Sequence, residues 1–139
     1  MGRVINVNGI GKERNTLTRG IVAALRELMK EIEPNAHSYD LVAYIGLSLL
    51  AINANIEQSV VAWEKRDYWV KADRFRMEWS WAGALGKDML SALNSSDWSK
   101  IALSAAKVGQ KLNNVKVTER SRIGTPWIGA WKKYQSEKL

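Results

Sequence analysis

The stretch Trp63-Glu64-Lys65-Arg66-Asp67-Tyr68-Trp69-Val70-Lys71-Ala72-Asp73-Arg74-Phe75-Arg76-Met77-Glu78-Trp79-Ser80-Trp81 decides how the chain folds. It holds four of the seven tryptophans and the only phenylalanine, together with five basic and four acidic residues. At 3.6 residues per turn, Tyr68, Ala72, Phe75, Trp79, Ala82, Gly86, Met89 and Leu93 gather on one face. This spacing predicts an amphipathic helix against a core, running on to Leu93 and acting as the spine of the domain. Asp73, Arg76, Ser80 and Lys87 fall opposite, and Lys71, Arg74, Glu78 and Trp81 form a ridge along one edge. Arg74 and Glu78 are placed for a surface ion pair worth about 0.2–0.5 kcal/mol. Small residues from Ala82 to Gly86 invite close helix approach, which offsets the roughly 1 kcal/mol that each of Gly83 and Gly86 costs in a helix interior.

Upstream, Lys65-Arg66-Asp67 marks a break from a preceding helix that starts near the cap Ser38. Leu41, Ile45, Leu49, Ile52, Ile56, Val60 and Trp63 form its main stripe. A second apolar set, Ala43, Leu47, Leu50, Ala54 and Val61, lies on another side. A helix apolar on two sides is either central or shared with a second subunit, and the set Leu47, Leu50, Ala54 and Val61 is a candidate protein interface, a homodimer contact included. Earlier still, Asn15 or Thr16 is placed to cap a first helix that runs to about Glu33 before Pro34. Its core face is Leu17, Ile21, Ala24, Leu25, Leu28 and Ile32. Residues 1–15 read as an irregular arm, and 34–38 as a turn.

Downstream, Asn94-Ser95-Ser96 ends the central helix and caps the next, in which Trp98, Ile101, Ala105, Val108, Leu112 and Val115 alternate by threes and fours. A basic loop follows from Lys116 to Thr125. Thr125-Pro126 then predicts the cap and first position of a short last helix carrying Trp127, Trp131 and Tyr134. The expected fold is therefore all-α: an antiparallel bundle of four main helices over residues 16–139, with a short C-terminal helix and an N-terminal arm. A chain of 139 residues is expected to form one domain.

Composition excludes several chemistries. With no cysteine and one histidine, neither a zinc site nor a Glu-x-x-His di-metal site is within reach, and no cofactor is implied. No G-x-S-x-G elbow is present, and His37 lies too close to Ser38 and Asp40 in sequence for a triad, so no catalytic residue is assigned. Gly9-Ile10-Gly11-Lys12 lacks phosphate-loop spacing. The absence of cysteine, of a signal-peptide core and of a long apolar run makes a cytoplasmic protein without a membrane role the expectation.

Net charge is +7, and the segment from Lys107 onward contributes eight basic and two acidic residues. That asymmetry points to an anionic partner. Arg120, Arg122, Lys132 and Lys133 are candidate phosphate contacts, with Trp127 and Trp131 as stacking platforms or as docking residues. Lys71 and Arg74 extend this track if the central helix lies alongside. A non-catalytic nucleic-acid-binding accessory protein is the first functional expectation. A protein–protein adaptor or self-assembling bundle is the alternative, resting on the two-sided helix and the tryptophan excess. A third is a small-molecule pocket lined by Lys71, Arg74 and Glu78 beside Trp79 and Trp81.

Overall fold

The computed structural model describes residues 7–118 and 122–137. Five helices follow in order: α1 (Val7–Met29), α2 (Ala36–Glu64), α3 (Trp69–Asn94), α4 (Trp98–Lys111) and α5 (Ala130–Glu137). No strand occurs among the described residues, so the all-α class holds. Neighbouring helices run antiparallel: Gly20 of α1 meets Tyr44 of α2, while Arg14 reaches Asn55. In α3, Gly83 faces Asn53 and Gly86 faces Leu49 and the Gly46 carbonyl.

The spine is α2, not α3. Leu41, Val42, Ala43, Ile45, Leu49, Ile52 and Val60 are fully buried, because α1, α3 and α5 all pack on α2. Its two-sided apolar pattern thus reflects centrality over the N-terminal half. By length and composition α2 could also cross a bilayer, contrary to the expectation that no segment would reach that length; over half of the qualifying window is buried among the other helices. The α2–α3 contact is close because glycine permits it. A β-carbon at Gly46 would stand 2.6 Å from Leu90 Cγ, and one at Gly86 only 3.1 Å from the Gly46 carbonyl oxygen.

α1 begins at Val7, so residues 7–15 of the expected arm are helical. The periodic core face continues backward through Arg14 and Ile10, despite Gly9 and Gly11. Arg14 Nη1 donates to Asn55 Oδ1 at 2.8 Å, and Asn55 Nδ2 donates to the Ile10 carbonyl at 2.9 Å, fixing this turn on α2. Thr16 is no cap; its hydroxyl donates to the Lys12 carbonyl one turn back. The helix stops at Met29, four residues before Glu33, and Ile32 is 96% exposed rather than in the core. The chain leaves early so that Asn35 can cap α2. Its side chain accepts from Ser38 N at 2.9 Å, and Ser38 Oγ accepts from Asn35 N at 3.3 Å. This reciprocal box makes Ser38 the third residue of the helix and puts His37 in its first turn.

The core is aliphatic, and most aromatic rings surround it half-buried. Ala72, Ala82, Met89 and Leu93 of α3 lie inside as the periodicity predicts; Phe75 and Trp79 are half-buried, and Tyr68 is exposed. α4 follows its periodicity, with Ile101, Val108 and Leu112 buried, but it ends at Lys111, so Val115 lies beyond it, and its cap is Asp97, which accepts from Lys100 N, rather than Asn94-Ser95-Ser96. The last helix begins at Ala130, not Pro126. Residues 126–129 form turns, and Gly129 takes φ = 82°. The cap comes from another helix: Asp40 of α2 accepts from Gly129 N at 3.1 Å and Trp131 N at 3.0 Å. Two backbone donors at the start of α5 are satisfied across the bundle, and Thr125 is not needed for that task.

Candidate functional site

The corner where α2 passes into α3 collects unusual side chains. α2 ends at Glu64, and Arg66, Asp67 and Tyr68 donate their backbone N–H groups back to its last carbonyls at 3.0 Å. Asp67 reverses the chain with φ = 62°, a left-handed conformation that aspartate tolerates better than most residues. Tyr68 precedes the first turn of α3, offering no side-chain cap. The tight reversal leaves the next residues uncovered among the described residues. Tyr68, Trp69 and Val70 are 53%, 55% and 66% exposed, Met77 two turns on is 76% exposed, and Val61 across the turn is 42% exposed. Five of the nine large exposed apolar residues among those described therefore lie at one corner.

Beneath this surface the rings and cations are interlocked. Lys71 Nζ stands 4.6 Å above Trp63, Trp63 meets Phe75 edge-on at 4.7 Å, and Arg14 lies 4.9 Å over Phe75. Each cation–ring contact is worth about 0.5–1 kcal/mol where exposed. Burial holds the Arg14 guanidinium below its ordinary value, and the Glu78 carboxylate partly restores it. Arg76 bridges the helices, with Nε 3.2 Å from Glu57 Oε1, and Asp73 and Glu64 at 3.8 and 4.0 Å. The Glu57 hydrogen bonds, reinforced by the charges of Glu57, Glu64 and Asp73, raise its pKa above the ordinary value. From Glu57 to Glu78 the chain carries five cations and five carboxylates, so the corner is electrically balanced.

The sequence-predicted site residues do not form one track. Lys71 and Arg74 sit at the α2–α3 corner, Lys71 laid on Trp63 and Arg74 exposed. Lys132 and Lys133 sit on α5, tied to Asp40 at the other end of α2. Asp40 and Trp63 are separated by roughly 35 Å of helix at 1.5 Å per residue. Trp127 is 5% exposed and belongs to the core, so its ring is not available as a stacking platform. Trp131 is half-buried between Tyr39 at 5.1 Å and Tyr134 at 6.0 Å. Arg122 is exposed, and Arg120 lies outside the described residues. None of Arg122, Lys132 and Lys133 forms an ion pair among the described residues.

The second apolar set of α2 opens along its length. Ala43 is buried, Leu50 packs on Gly86, Leu47 lines a cleft with Pro126, Ile128 and Ala130, and Ala54 and Val61 are exposed. Among the described residues its exposed members, Ala54 and Val61, lie toward the C-terminal end of α2. The residues expected around a small-molecule pocket are engaged elsewhere: Trp79 and Trp81 stack on each other at 5.7 Å, and Glu78 is exposed. Tyr68 and Trp69 were missed as surface residues because helical periodicity assigned Tyr68 to the core. The break at Lys65-Arg66-Asp67 was the available signal that they stand at a helix start, where one face lacks a neighbour. Among the described residues no group of three His, Cys, Asp or Glu side chains is placed to hold a metal ion. Comparison of the chain with protein-family models, with curated proteins and with solved structures finds no match.

Proposed function

We propose that this chain is a non-catalytic adaptor whose working surface is the α2–α3 corner and whose partner is another protein. The observation that carries this reading is the exposure of Tyr68, Trp69, Val70 and Met77 at and just beyond the start of α3, with Arg74 exposed in the same stretch and Val61 exposed near the end of α2. Tyrosine, tryptophan, methionine and arginine are the residue types enriched at protein interfaces, where a few of them supply most of the affinity. Small soluble domains seldom leave contiguous apolar surface open without a use for it. Balanced charge gives the corner no general attraction for a phosphate backbone, whereas it suits a partner with its own mixed rim. The rigid support beneath, from Arg14 through Phe75 and Trp63 to Lys71, lowers the ordering cost on binding.

The test is affinity capture from the native source with the wild-type chain and a Trp69→Asp/Val70→Asp variant, followed by titration of each recovered protein in purified form. A partner that binds the wild-type chain directly and loses at least tenfold in affinity to the variant is expected; each 1.4 kcal/mol of hot-spot energy corresponds to about tenfold. Partners captured equally by both chains refute the assignment of this surface.

Nucleic acid is the second reading, now confined to Arg122, Lys132 and Lys133. Its support is the excess positive charge after Lys107 and the absence of ion-paired neighbours at these three residues among those described. With Trp127 buried, the reading rests on phosphate attraction rather than on stacking. Anisotropy titration of labelled single strands should then show a log–log salt slope of about −0.7 per phosphate contact.

A further inference from the structure

α1 packs on α2 and α4 packs on α3, but α1 and α4 meet each other only slightly. The gap between them is an apolar groove. A cleft of about 440 Å³ runs along it, with Leu28 and Met29 of α1 on one wall and Ala102, Ala106 and Gly109 of α4 on the other, and every residue on its walls is apolar. A second cleft of about 280 Å³ shares Leu28 and Ala102 and carries the groove on to Ile32 and Trp98. From Trp98 to Gly109 the α4 wall is roughly 16 Å long, about three helical turns. Three of the four large exposed apolar residues outside the α2–α3 corner belong here: Met29 and Ile32 line the groove, and Leu103 forms its lip on α4. A β-carbon at Gly109 would meet no atom within 4 Å, so the α4 wall is open there.

The banks of this groove are basic. Successive residues advance about 100° round a helix, so the stripe outside Met29 on α1 is Arg26 and Lys30, and the stripe outside Leu103 on α4 is Lys100, Lys107 and Lys111. All five are exposed. Lys30 pairs with Glu27 at 3.1 Å, and the other four form no ion pair among the described residues. α4 has no acidic residue from Trp98 to Lys111, and Glu31 and Glu33 line the groove only at its Trp98 end. An apolar floor between two basic banks is complementary to a helix with one apolar stripe and acidic flanks. The small residues of the α4 wall let such a helix come close, so that its larger apolar side chains reach the floor. A second copy of this chain fits poorly, because it would set the same cations against these.

We propose that the α1–α4 groove docks an acidic amphipathic helix of a partner protein. The apolar stripe of that helix lies on Leu28, Met29, Ala102 and Ala106, and its carboxylates face Arg26, Lys107 and Lys111. The groove is separate from the α2–α3 corner, and the proposal stands whether or not that corner binds a protein.

The test is fluorescence anisotropy of labelled synthetic peptides, about five helical turns long, titrated with the full chain. Three peptides carry leucine, methionine or phenylalanine at every third or fourth position with glutamate on the flanks. A fourth has lysine in place of glutamate, and a fifth is the leucine peptide in scrambled order. At least one acidic amphipathic peptide should bind saturably, and more weakly as salt is raised, while the lysine and scrambled peptides do not bind. Gly109→Glu sets a carboxylate into the groove at a position where a side chain meets nothing, and should weaken binding about tenfold or more with the circular dichroism unchanged. Lys107→Gln/Lys111→Gln, at exposed positions, should weaken it about fivefold through loss of two exposed ion pairs. Trp69→Asp/Val70→Asp should bind the peptide as wild type does. Absence of saturable binding by all three acidic peptides overturns the proposal. So does equal binding of the lysine or scrambled peptide, unchanged affinity in Gly109→Glu or in the double lysine variant, or loss of binding in Trp69→Asp/Val70→Asp. Binding to phosphatidylserine vesicles that Gly109→Glu abolishes would assign the groove to a lipid surface and overturn it as well.

Discussion

Replacing Asp40 with alanine should loosen the last helix while the four-helix bundle stays folded. Asp40 accepts two backbone hydrogen bonds, from Gly129 N at 3.1 Å and Trp131 N at 3.0 Å. Hydrogen bonds to a charged group are worth about 1.5–3 kcal/mol each when buried. Gly129 is exposed, so water takes over much of the first one after truncation. The net loss should therefore resemble that of a helix cap, about 1–2 kcal/mol. Part of it reaches beyond the cap, because α5 carries Trp131 against Tyr39 and hands Tyr134 Oη a hydrogen bond from Asn94 Nδ2 at 2.9 Å. For a chain of this size the melting temperature should fall by roughly 3–8 °C. Asp40→Asn, keeping one acceptor oxygen, should fall between wild type and alanine. Urea melts by circular dichroism give the magnitude, and native-state hydrogen exchange gives the location. The Lys133 amide, which donates to the Gly129 carbonyl at 3.1 Å, should lose protection before any amide of α2. A loss below about 0.3 kcal/mol with unchanged protection in α5 would falsify the cross-bundle cap.

Four other outcomes follow from the packing. A β-carbon at Gly20 would collide with Tyr44 Oη, so Gly20→Ala should cost about 1–3 kcal/mol. Tyr44→Phe should recover part of that loss, and no recovery in the double variant would show that the hydroxyl is not the obstacle. Burial raises the Tyr44 phenol above its ordinary value, so its contribution to stability is complete below the unfolded pKa of about 10 and is lost as pH rises through the folded one. Alkaline urea melts of Tyr44→Phe should accordingly show a shallower decline than wild type above that pH. Trp79 is half-buried and stacked on Trp81, so Trp79→Ala should fall at or below the lower end of the roughly 3–5 kcal/mol typical of a fully buried aromatic; a loss at the upper end of that range in denaturant melts contradicts the packing described. Trp69→Ser, at an exposed ring, should change stability by less than about 0.5 kcal/mol, and a larger loss on thermal melting means that the ring supports the fold rather than a partner.

Helix existence was legible wherever apolar residues recur by threes and fours. α4 is the clearest case, and the α3 face from Ala72 to Leu93 was placed correctly. Ends were harder, because caps depend on which residue leaves the helix first. Thr16 looks like a cap but sits inside α1, since the turn before it is pinned by Asn55 from another helix. Ser38 has the right chemistry but is displaced by Asn35, three residues earlier. Thr125-Pro126 carries the local signal for a helix start, yet the start moves to Ala130 because Asp40 supplies the acceptor there. No local pattern contains that partner, which lies some ninety positions away. The candidate surface was legible as composition, not as geometry. The four tryptophans between Trp63 and Trp81 stood out, but only the turn at Asp67 decides that Trp69 faces outward while Trp63 lies under Lys71. Periodicity has no information at the first residue of a helix, where one side has no preceding turn.

The burial of α2 has a consequence for synthesis on the ribosome. α1 is made first and can cover only one side of α2. The side that receives Gly83, Gly86 and Met89 stays bare until α3 has been translated, from Trp69 to Asn94. At roughly 5–20 residues per second that interval lasts on the order of seconds, with a helix of membrane-like hydropathy open to water, chaperones or a bilayer. Codons that slow translation just after Glu64 should prolong this exposure, and the yield of soluble protein should respond to them more than to slow codons placed after Asn94.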